Sequence, residues 1–423
     1  MAQLKNDVTE NIMTDQDLKI NNERLWQSLM EMAKIGATEK GGVCRLCMTD
    51  LDQQGRELLL QWSAELGCTH ECDAVGNLFI RQPGKNNSRA PVMTGSHLDS
   101  QPTGGRFDGV YGVLAGLEVL RTLHDHGVVT DAPLELVVWN NEEGSRFSPP
   151  MMGSGVFTEI FDLDWAYQIE DENGVSVKQE LDRLGWIGRP MSQRDVDSYF
   201  EAHIEQGPVL ENANQTIGIV SGGQGQRWFE LNVYGQEAHA GPTPMPLRKD
   251  ALVCAAEMVQ LVNQLGHDHA PDACATCGIL KIIPGSRNVI PGHVWITIDT
   301  RHPEDEVLLV IEQQLRDGLA SIAEKHGCSF ELENFWISPA TPFDRNCVEL
   351  VREGAELNGY PCREMISGAG HDAVYMARRY PVGMIFVPCE NGISHNEIEN
   401  ADPADIAAGC QVLLHAMTAR AGY

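Results

Sequence analysis

PVMTGSHLDSQPTGGRFDGVYGVLAG, residues 91–116, is the stretch that decides the fold. Its apolar start predicts a short buried strand that ends at His97 and Asp99, and a glycine-rich loop then brings a second carboxylate, Asp108. Apolar residues at helical spacing follow, and Gly127 predicts where that helix stops. A histidine and carboxylates are thus expected at the carboxyl end of a buried strand, where α/β proteins bind ligands and metals. The apolar stripe of the helix consists of Val110, Val113, Leu114, Leu117, Leu120 and Leu123.

The composition is that of a globular chain with more than one domain. It has 423 residues, of which 42% are apolar, and its formal net charge is −29. So acidic a chain is not expected to bind nucleic acid or an anionic membrane, because both require clustered Lys and Arg. A small anionic substrate would need a local cation, such as an Arg or a bound metal.

The N-terminal segment 1–19 is polar throughout, which predicts no signal peptide, and no apolar run approaches the length of a membrane span. We therefore expect a cytoplasmic protein in which most of the twelve cysteines are small buried apolar residues. Two CxxC pairs, Cys44/Cys47 and Cys274/Cys277, could share a zinc ion. They lie far apart in the sequence, however, so this site is not favoured.

Three further strands are predicted to end in residues that can bind a metal. Each is a short run rich in apolar or aromatic residues. Two adjacent carboxylates at a strand terminus can point to opposite sides of the chain, so one could bind a metal while the other moves protons. The strands and the residues after them are Leu134–Trp139 with Glu142 and Glu143, Ser198–Ala202 with His203, and Val382–Val387 with His395.

Residues 221–338 follow the order β-α-β-β-α-β, which is typical of a ferredoxin-like module. We interpret them as a domain inserted into an α/β domain made of residues 1–220 and 339–423, with a central mixed β-sheet flanked by helices. The predicted elements of the insertion are the strand Trp228–Tyr234, the helix Asp250–Leu265, the strands Cys277–Ile283 and Val294–Thr300, the helix Glu306–His326 and the strand Ser329–Ile337.

The strand ends together offer histidines and carboxylates, a set that suits zinc, manganese, cobalt or nickel better than calcium or magnesium. One metal needs about three or four protein ligands, so the surplus indicates two metals that share a bridging carboxylate. A structural interpretation stays open, because a histidine at a strand end is often structural and an acidic pair is often surface charge. The candidates are His97, Asp99, Asp108, Glu142, Glu143, His203 and His395.

Other catalytic motifs are not supported by the sequence. It contains no GxxxxGK[ST] phosphate loop and no GxSxG nucleophile motif. The candidates lie instead in motifs that resemble the metal-dependent amidohydrolases of the M20 peptidase superfamily, specifically the branch of N-carbamoyl-L-amino acid hydrolases, β-ureidopropionases and allantoate amidohydrolases. The resemblance covers almost the whole chain. Its motifs are GSHLDSQPTGGRFDGVYG, NNEEGSRF, EAHIEQGPVLE, GQEAHAGPTPMPLRKDA, PGSRNVIPG with DTRHP, SGAGHDA and CENGISHNE.

This resemblance implies two divalent metal ions per subunit, with zinc first and manganese, cobalt or nickel as alternatives. Asp99 would hold His97 in the tautomer that binds metal. Glu142 would be the general base that takes a proton from water and returns it to the leaving nitrogen. The implied ligand sets are His97, Asp108 and His203 for one ion, and Asp108, Glu143 and His395 for the other, with Asp108 as the bridge.

The inserted domain resembles a lid and dimerisation domain, which implies a homodimer. His239 would reach into the partner subunit's site and stabilise an oxyanion. Gln206 would contact the ureido group, while Asn288 and Arg301 would hold the substrate carboxylate, a task that suits the planar fork of an arginine.

Four further residues have alternative interpretations. Arg287 and Arg248 could replace Arg301 as carboxylate ligands, but as exposed cations they are expected to be structural. His371 and Asp372 would support the metal-binding loop, and Asp372 could equally cap a helix.

The resemblance predicts hydrolysis of the carbamoyl C–N bond of N-carbamoyl-L-amino acids, or of N-carbamoyl-β-alanine, to the free amino acid, ammonia and carbon dioxide. His203 stands where the peptidase branch has an acidic residue, which favours small anionic ureido substrates over peptides. Allantoate is the alternative substrate. A metal-stabilised binding protein without turnover is the non-enzymatic alternative, and an uncommitted Glu142 argues against it.

Overall fold

The computed structural model describes residues 18–423, so the prediction about a signal peptide concerns residues that lie mostly outside the described range. The chain divides into two compact units. We call the chain up to Ser221 together with Pro342–Tyr423 the larger unit, and Gly222–Thr341 the smaller unit.

The described residues form twelve α-helices and fifteen β-strands. None of these helices is long and apolar enough to cross a membrane. The helices are α1 (Asn22–Met32), α2 (Asp50–Ala64), α3 (Val110–Asp125), α4 (Met152–Phe157), α5 (Leu163–Gln168), α6 (Val177–Leu184), α7 (Val209–Ala213), α8 (Ala251–Asp268), α9 (Asp305–His326), α10 (Arg345–Leu357), α11 (Asp372–Met376) and α12 (Pro403–Ala421). The strands are β1 (Thr69–Cys72), β2 (Leu78–Gln82), β3 (Val92–His97), β4 (Leu134–Trp139), β5 (Ser198–Ile204), β6 (Ile217–Gly223), β7 (Gly225–Tyr234), β8 (Ala238–His239), β9 (Cys274–Ile283), β10 (Val289–Ile290), β11 (His293–His302), β12 (Ser329–Ser338), β13 (Thr341–Pro342), β14 (Cys362–Ser367) and β15 (Val382–Val387).

A nine-stranded sheet organises the larger unit, in the order β1-β2-β4-β3-β5-β15-β6-β13 with β14 beside β6. The central strands β4, β3, β5 and β15 are parallel, whereas β2 and β6 flank them in antiparallel pairs. Every residue of these four central strands is buried, which agrees with their mostly apolar sequences, such as VGMIFV in β15. Helices α3 and α12 pack against the sheet. The predicted mixed α/β class is therefore confirmed.

The helix predicted after the opening loop is α3, and its apolar stripe is buried throughout. It ends at Asp125, and Gly127 follows with φ +64°, a left-handed conformation that glycine adopts without strain. The predicted helix and its stop signal are confirmed.

A four-stranded antiparallel sheet, in the order β12-β7-β11-β9, forms the smaller unit. Residues of β7 and β11 alternate between buried and half-buried, because one face of the sheet packs on α8 and α9. The element order is β-α-β-β-α-β, as predicted, with the short pair β8 and β10 added.

Candidate metal centre and active site

Four parallel strands bring the candidate ligands to one edge of the larger unit's sheet. His97 is the last residue of β3, His203 is the penultimate residue of β5, and Glu142 follows β4 by three positions. His395 lies in the loop after β15. Because carboxyl ends of parallel strands meet at the same edge, residues distant in sequence converge there.

Asp108 reaches the same edge through the entry to α3. Gly109, the residue before this helix, has φ +68°, and a Cβ placed on it would lie 2.3 Å from the His97 ring. Only glycine can therefore occupy this position without displacing the histidine or straining the backbone. The glycine allows the carboxylate of Asp108 to face both His97 and His203.

His97, Asp108 and His203 form the first group that can hold a metal. Oδ1 of Asp108 lies 3.7 Å from Nε2 of His97 and 3.2 Å from Nε2 of His203. All three side chains are buried. Two ligands of a tetrahedral ion about 2 Å away lie about 3.3 Å from each other, so these separations fit one ion.

Backbone carbonyl groups fix the tautomers of the two buried histidines. Nδ1 of His97 lies 2.9 Å from the carbonyl oxygen of Asp99, and Nδ1 of His203 lies 2.9 Å from that of Ile204. A carbonyl oxygen only accepts, so each Nδ1 carries the proton and donates it. In the neutral rings, the lone pair that can bind a metal is therefore on Nε2. Despite burial, Asp108 raises the pKa of His203, and the protonated ring donates from Nε2 to Asp108.

Asp108, Glu143 and His395 form the second group that can hold a metal. Nε2 of His395 lies 3.3 Å from Oδ2 of Asp108 and 3.4 Å from Oε2 of Glu143. The two oxygens of Asp108 therefore face different groups, which is the arrangement that a bridging carboxylate requires. His395 adopts φ +53°, a strained conformation for a residue with a side chain and one found disproportionately at functional sites.

The charge balance of the two groups also suits cations. Within the described chain, the ion pairs of Asp108, Glu142 and Glu143 are formed with histidines, and none is formed with Lys or Arg. Three buried carboxylates in such proximity repel one another unless a positive charge is added. Imidazole and carboxylate donors together suit zinc and its first-row neighbours, so the residues present fit the implied metals.

Glu142 belongs to neither ligand group. Its Oε2 lies 3.4 Å from Nε2 of His97, and the side chain is buried. Burial, together with the nearby carboxylates of Asp372 and Glu143, raises the pKa of Glu142 well above its ordinary value. A carboxylate with a raised pKa is a stronger base, which suits a residue that accepts a proton from water.

Asp99 contacts the site through both its backbone and its side chain. Its carbonyl oxygen, rather than its carboxylate, holds Nδ1 of His97, because the nearest carboxylate oxygen is 3.8 Å away. The carboxylate instead accepts the backbone N–H groups of Glu142 at 3.3 Å and Glu143 at 3.2 Å. Asp99 thus ties the end of β3 to the end of β4, and burial raises its pKa to about 7.

The other titratable groups of the site also have shifted pKa values. Burial lowers the pKa of His97 to about 4 and raises that of Glu143 to about 8. A hydrogen bond with Asp108 raises the pKa of His395 to about 9. Burial opposes ionisation of Asp108, yet hydrogen bonds from His203 and His395 hold its pKa well below the ordinary value. Asp108 is therefore the carboxylate that stays ionised.

Gln206 lies at the same centre. Its Nε2 donates to Oδ2 of Asp108 at 3.0 Å, while its buried Oε1 has no hydrogen-bond partner among residues 18–423. A buried acceptor without a donor is costly, so a ligand N–H at this position would be stabilised. The residue has φ +58°, which again places a strained backbone at this site.

The other predicted substrate ligands lie in the smaller unit. His239 and Asn288 are exposed and adjacent, because β8 pairs with β10 and Ala240 donates its N–H to the carbonyl oxygen of Asn288 at 2.9 Å. Arg301 is on β11, where its Nε and Nη2 both donate to Oδ2 of Asp299, at 2.9 and 2.8 Å.

The two alternative arginines differ in their contacts. Arg248 donates to the carbonyl oxygens of Ala240 at 2.6 Å and Thr243 at 3.1 Å, so it holds the loop between β8 and α8. Arg287 is exposed. Among the described residues, no group that could hold a metal contains a cysteine, and all twelve cysteines are unpaired.

His371 and Asp372 lie beside the first ligand group. The ring centroids of His371 and His203 are 4.5 Å apart. Asp372 is the first residue of α11, and this helix has no side-chain cap. The alternative that Asp372 caps the helix is therefore wrong. Its Oδ1 instead accepts a hydrogen bond from Ser154 at 2.5 Å.

Several residues that contact the candidate ligands were not singled out from the sequence. Glu201, on the same strand as His203, accepts hydrogen bonds from Ser96 and Tyr199. Together with His203 and His371 it forms a third group that could hold a metal. Both oxygens of Glu201 are already used as acceptors, which favours a supporting role. Gln101 donates to Glu143, and Ser394 and Glu399 contact Asp108. Their only sequence signal is proximity to the ligand motifs.

The chain is similar in sequence to known hydrolases over almost its whole length. The model of the family described as Peptidase family M20/M25/M40 matches residues 93–419. An N-carbamoyl-L-amino-acid amidohydrolase of Rhizobium meliloti is 43% identical over 400 residues, covering 94% of this chain and 96% of the relative. An allantoate amidohydrolase of Bacillus subtilis is 34% identical over 405 residues, covering 95% and 98%.

A solved structure shows the same architecture. The crystal structure of an amidase of the hydantoinase/carbamoylase family from Burkholderia multivorans superposes with a TM-score of 0.90 at 55% identity. The match covers 96% of this chain and 99% of that structure's chain.

Proposed function

The chain belongs to peptidase family M20/M25/M40 and is a hydrolase, and from this premise we propose that it cleaves the carbamoyl C–N bond of N-carbamoyl-L-amino acids. The observation that carries the proposal is the pair of residue groups that could each hold a metal and that share Asp108, with Glu142 beside them and outside both. Family membership sets aside the alternative of a binding protein without turnover. N-carbamoyl-β-alanine remains within the proposed substrate class.

We propose that each subunit binds two divalent ions, with zinc first and manganese, cobalt or nickel as alternatives. His97, Asp108 and His203 would hold one ion, and Asp108, Glu143 and His395 the other. Bound cations supply a Lewis acid for the ureido oxygen and lower the pKa of water.

Glu142 accepts the proton of the attacking water, which adds its oxygen to the ureido carbon. The bond from that carbon to the amino acid nitrogen then breaks, and Glu142 returns the proton to this nitrogen. The products are the amino acid and a carbamate, which decomposes to ammonia and carbon dioxide. The unpartnered Oε1 of Gln206 supports a contact with a ureido N–H group.

The smaller unit is proposed to supply the remaining substrate contacts and the dimer interface. Asn288 and Arg301 would hold the substrate carboxylate, and His239 would stabilise the oxyanion in the partner subunit's site. Strand β9 supports an interface, because it is an edge of its sheet and Ile279, the side chain most accessible among its large apolar residues, is 50% exposed. Open apolar edges of this kind pair with another chain.

A mixing experiment tests the shared site. His239→Ala and Glu142→Gln proteins, each with low activity alone, are mixed under conditions that exchange subunits. When equal amounts are mixed, half of the dimers are mixed and each of these has one intact site, so recovery toward about one quarter of wild type would support a site completed by the partner subunit. No recovery in subunits shown to have exchanged, for example by a mass tag, would contradict it.

The substrate is tested directly with steady-state rates on metal-loaded protein. The panel contains N-carbamoyl-L-amino acids with small, aromatic and acidic side chains, N-carbamoyl-β-alanine and allantoate, with ammonia as the measured product. We expect the highest kcat/KM for an N-carbamoyl-L-amino acid. Allantoate is the second candidate because an allantoate amidohydrolase is 34% identical to this chain, and a higher kcat/KM for allantoate would replace the first proposal.

We further propose a reducing, cytoplasmic compartment. All twelve cysteines are unpaired, including the exposed Cys274. Unpaired cysteines on this scale are typical of proteins that stay in the cytosol.

A further inference from the structure

Glu399 lies in the loop between β15 and α12, where it links the backbone around Asp108 to the segment that carries His395. Its Oε1 accepts the backbone N–H groups of Phe107 at 2.9 Å and of Asp108 at 3.2 Å. Its Oε2 accepts the hydroxyl of Ser394 at 2.8 Å. The carboxylate therefore contacts residues adjacent to ligands in both proposed metal groups.

The carboxylate of Glu399 packs closely against the glycine-rich loop that precedes Asp108. A Cβ added to Gly105 would lie 2.1 Å from its carboxylate, so glycine is needed there. The side chain is only 1% exposed, and within residues 18–423 its hydrogen-bond donors are two backbone N–H groups and a hydroxyl, without a Lys or Arg. A buried carboxylate without a cationic partner is costly unless a positive charge lies nearby.

Ser394 has one proton and two carboxylates within reach. Its Oγ lies 2.8 Å from Oε2 of Glu399 and 3.1 Å from Oδ2 of Asp108. Nε2 of Gln206 lies 3.2 Å from Oγ of Ser394, and this amide nitrogen can only donate to the hydroxyl oxygen. The hydroxyl proton must therefore go to Glu399 or to Asp108, and the shorter distance favours Glu399.

We propose that Glu399 is a positioning residue that takes the Ser394 hydroxyl proton as a hydrogen bond. Of the two donors Ser394 and Gln206, Oδ2 of Asp108 then accepts only the N–H of Gln206, and its second lone pair can bind a cation. This inference rests on the cation binding of the proposed function. It gives Glu399 a role in metal affinity that is separate from holding the loop.

Glu399→Gln separates the two roles, because the amide keeps the size of the side chain and its acceptor for both backbone N–H groups. Its NH2 group would donate to Ser394 Oγ, which turns the hydroxyl proton onto Oδ2 of Asp108. We expect the dissociation constant of the Zn²⁺ held by Asp108, Glu143 and His395 to rise about ten- to hundredfold. This range is typical when a residue that hydrogen-bonds near a metal ligand is replaced. The measurement is chelator competition with Zn²⁺ alone on metal-free protein.

Ser394→Ala in the Glu399→Gln protein is the decisive second variant. With no hydroxyl proton left to occupy Asp108, the double variant should recover most of the lost Zn²⁺ affinity. A purely structural Glu399 predicts no recovery, and it also predicts that metal-free Glu399→Gln unfolds at a lower temperature than metal-free wild type. We expect that temperature to be equal or higher, because a buried charge next to Asp108 is removed.

Two further variants complete the test. Glu397→Gln is the matched control, since Glu397 is in the same loop but pairs with Lys40 at 3.3 Å, and its Zn²⁺ affinity should equal that of wild type. Gly105→Ala, which displaces the Glu399 carboxylate, should weaken Zn²⁺ binding as Glu399→Gln does. Equal Zn²⁺ affinity in Glu399→Gln and Glu397→Gln would overturn the inference alone, whereas wild-type protein that binds fewer than two Zn²⁺ would overturn the proposed two-ion site with it.

Discussion

The sheets of the two units place their polar residues in different ways. Every residue of β4 in the larger unit is buried, and the candidate site residues Glu142 and Glu143 come after the strand has ended. In the smaller unit, β11 alternates between buried and half-buried, and Arg301, its penultimate residue, is on the half-buried face. In the larger unit the candidate ligands lie at or just after the carboxyl ends of fully buried strands, where they converge. In the smaller unit, a sheet with one accessible face can carry a charged side chain on that face, in alternation with buried residues.

The sharpest test of this comparison is the pair Glu142→Gln and Glu143→Gln. These neighbours emerge from the same strand, but only Glu143 lies in a ligand group. Glu142→Gln should keep its metal and lose about 10²- to 10⁴-fold in kcat, the contribution of a general base. Rates on N-carbamoyl-L-amino acids and metal content by mass spectrometry are the measurements.

Glu143→Gln is the variant with which Glu142→Gln is compared. Glu143→Gln should lose metal together with activity, because its Oε2 is a proposed ligand and faces His395 at 3.4 Å. If both variants lose metal equally, or if Glu142→Gln keeps wild-type kcat, the division of roles between the two glutamates is wrong.

The second test compares the packing of the two sheets. Leu136 on β4 is fully buried, whereas Ile282 on β9 is 39% exposed. Leu136→Ala should lower the free energy of unfolding by about 2–5 kcal/mol, since it leaves a cavity in a close-packed core. Ile282→Ala should cost less than about 1 kcal/mol in a monomer, because part of the side chain is already in water. Urea denaturation of metal-free protein gives both values, and equal costs would contradict the difference in packing.

The candidate ligands at the strand ends could be singled out because the signal is local. An apolar run followed by His97 or His203 indicates both the strand and the place where it stops, and parallel order then brings the ends together. The inserted unit was predictable for a similar reason, since its helices and strands differ in the period of their apolar residues. These inferences needed no knowledge of distances.

The supporting residues could not be predicted in this way. Glu399 and Glu201 are single carboxylates without periodicity, and their roles depend on contacts with Phe107, Ser96 and other residues far away in the chain. The sequence also could not indicate that Asp99 uses its carbonyl oxygen for His97 and its carboxylate for the end of β4. Which atom of a residue makes a contact is set by tertiary packing.

A smaller effect on kcat/KM is expected from a substitution in the sheet of the smaller unit, which has one accessible face. Arg301→Lys keeps the charge but removes the planar fork, so kcat/KM should fall about tenfold to a hundredfold, the value of hydrogen bonds to a charged group. The loss should appear mainly in KM. Arg287→Lys is the matched control, as the alternative arginine on the exposed segment, and it should stay near wild type. A larger loss for Arg287→Lys would move the carboxylate contact to that residue.

The smallest effect concerns helix N-termini, where the two units should behave alike. Asp250 caps α8 through the N–H groups of Leu252 at 3.0 Å and Val253 at 3.3 Å, and Asp402 caps α12 through that of Ala404 at 2.7 Å. Each Asp→Ala change should cost about 1 kcal/mol, because an N-cap acts locally whatever the sheet beneath it. Asp→Asn at the same positions should cost only a few tenths, since asparagine also caps. Thermal unfolding measures both pairs. A cost several times larger in one unit would show that its cap also supports tertiary packing. The two units would then differ in their helix caps as well as in their sheets.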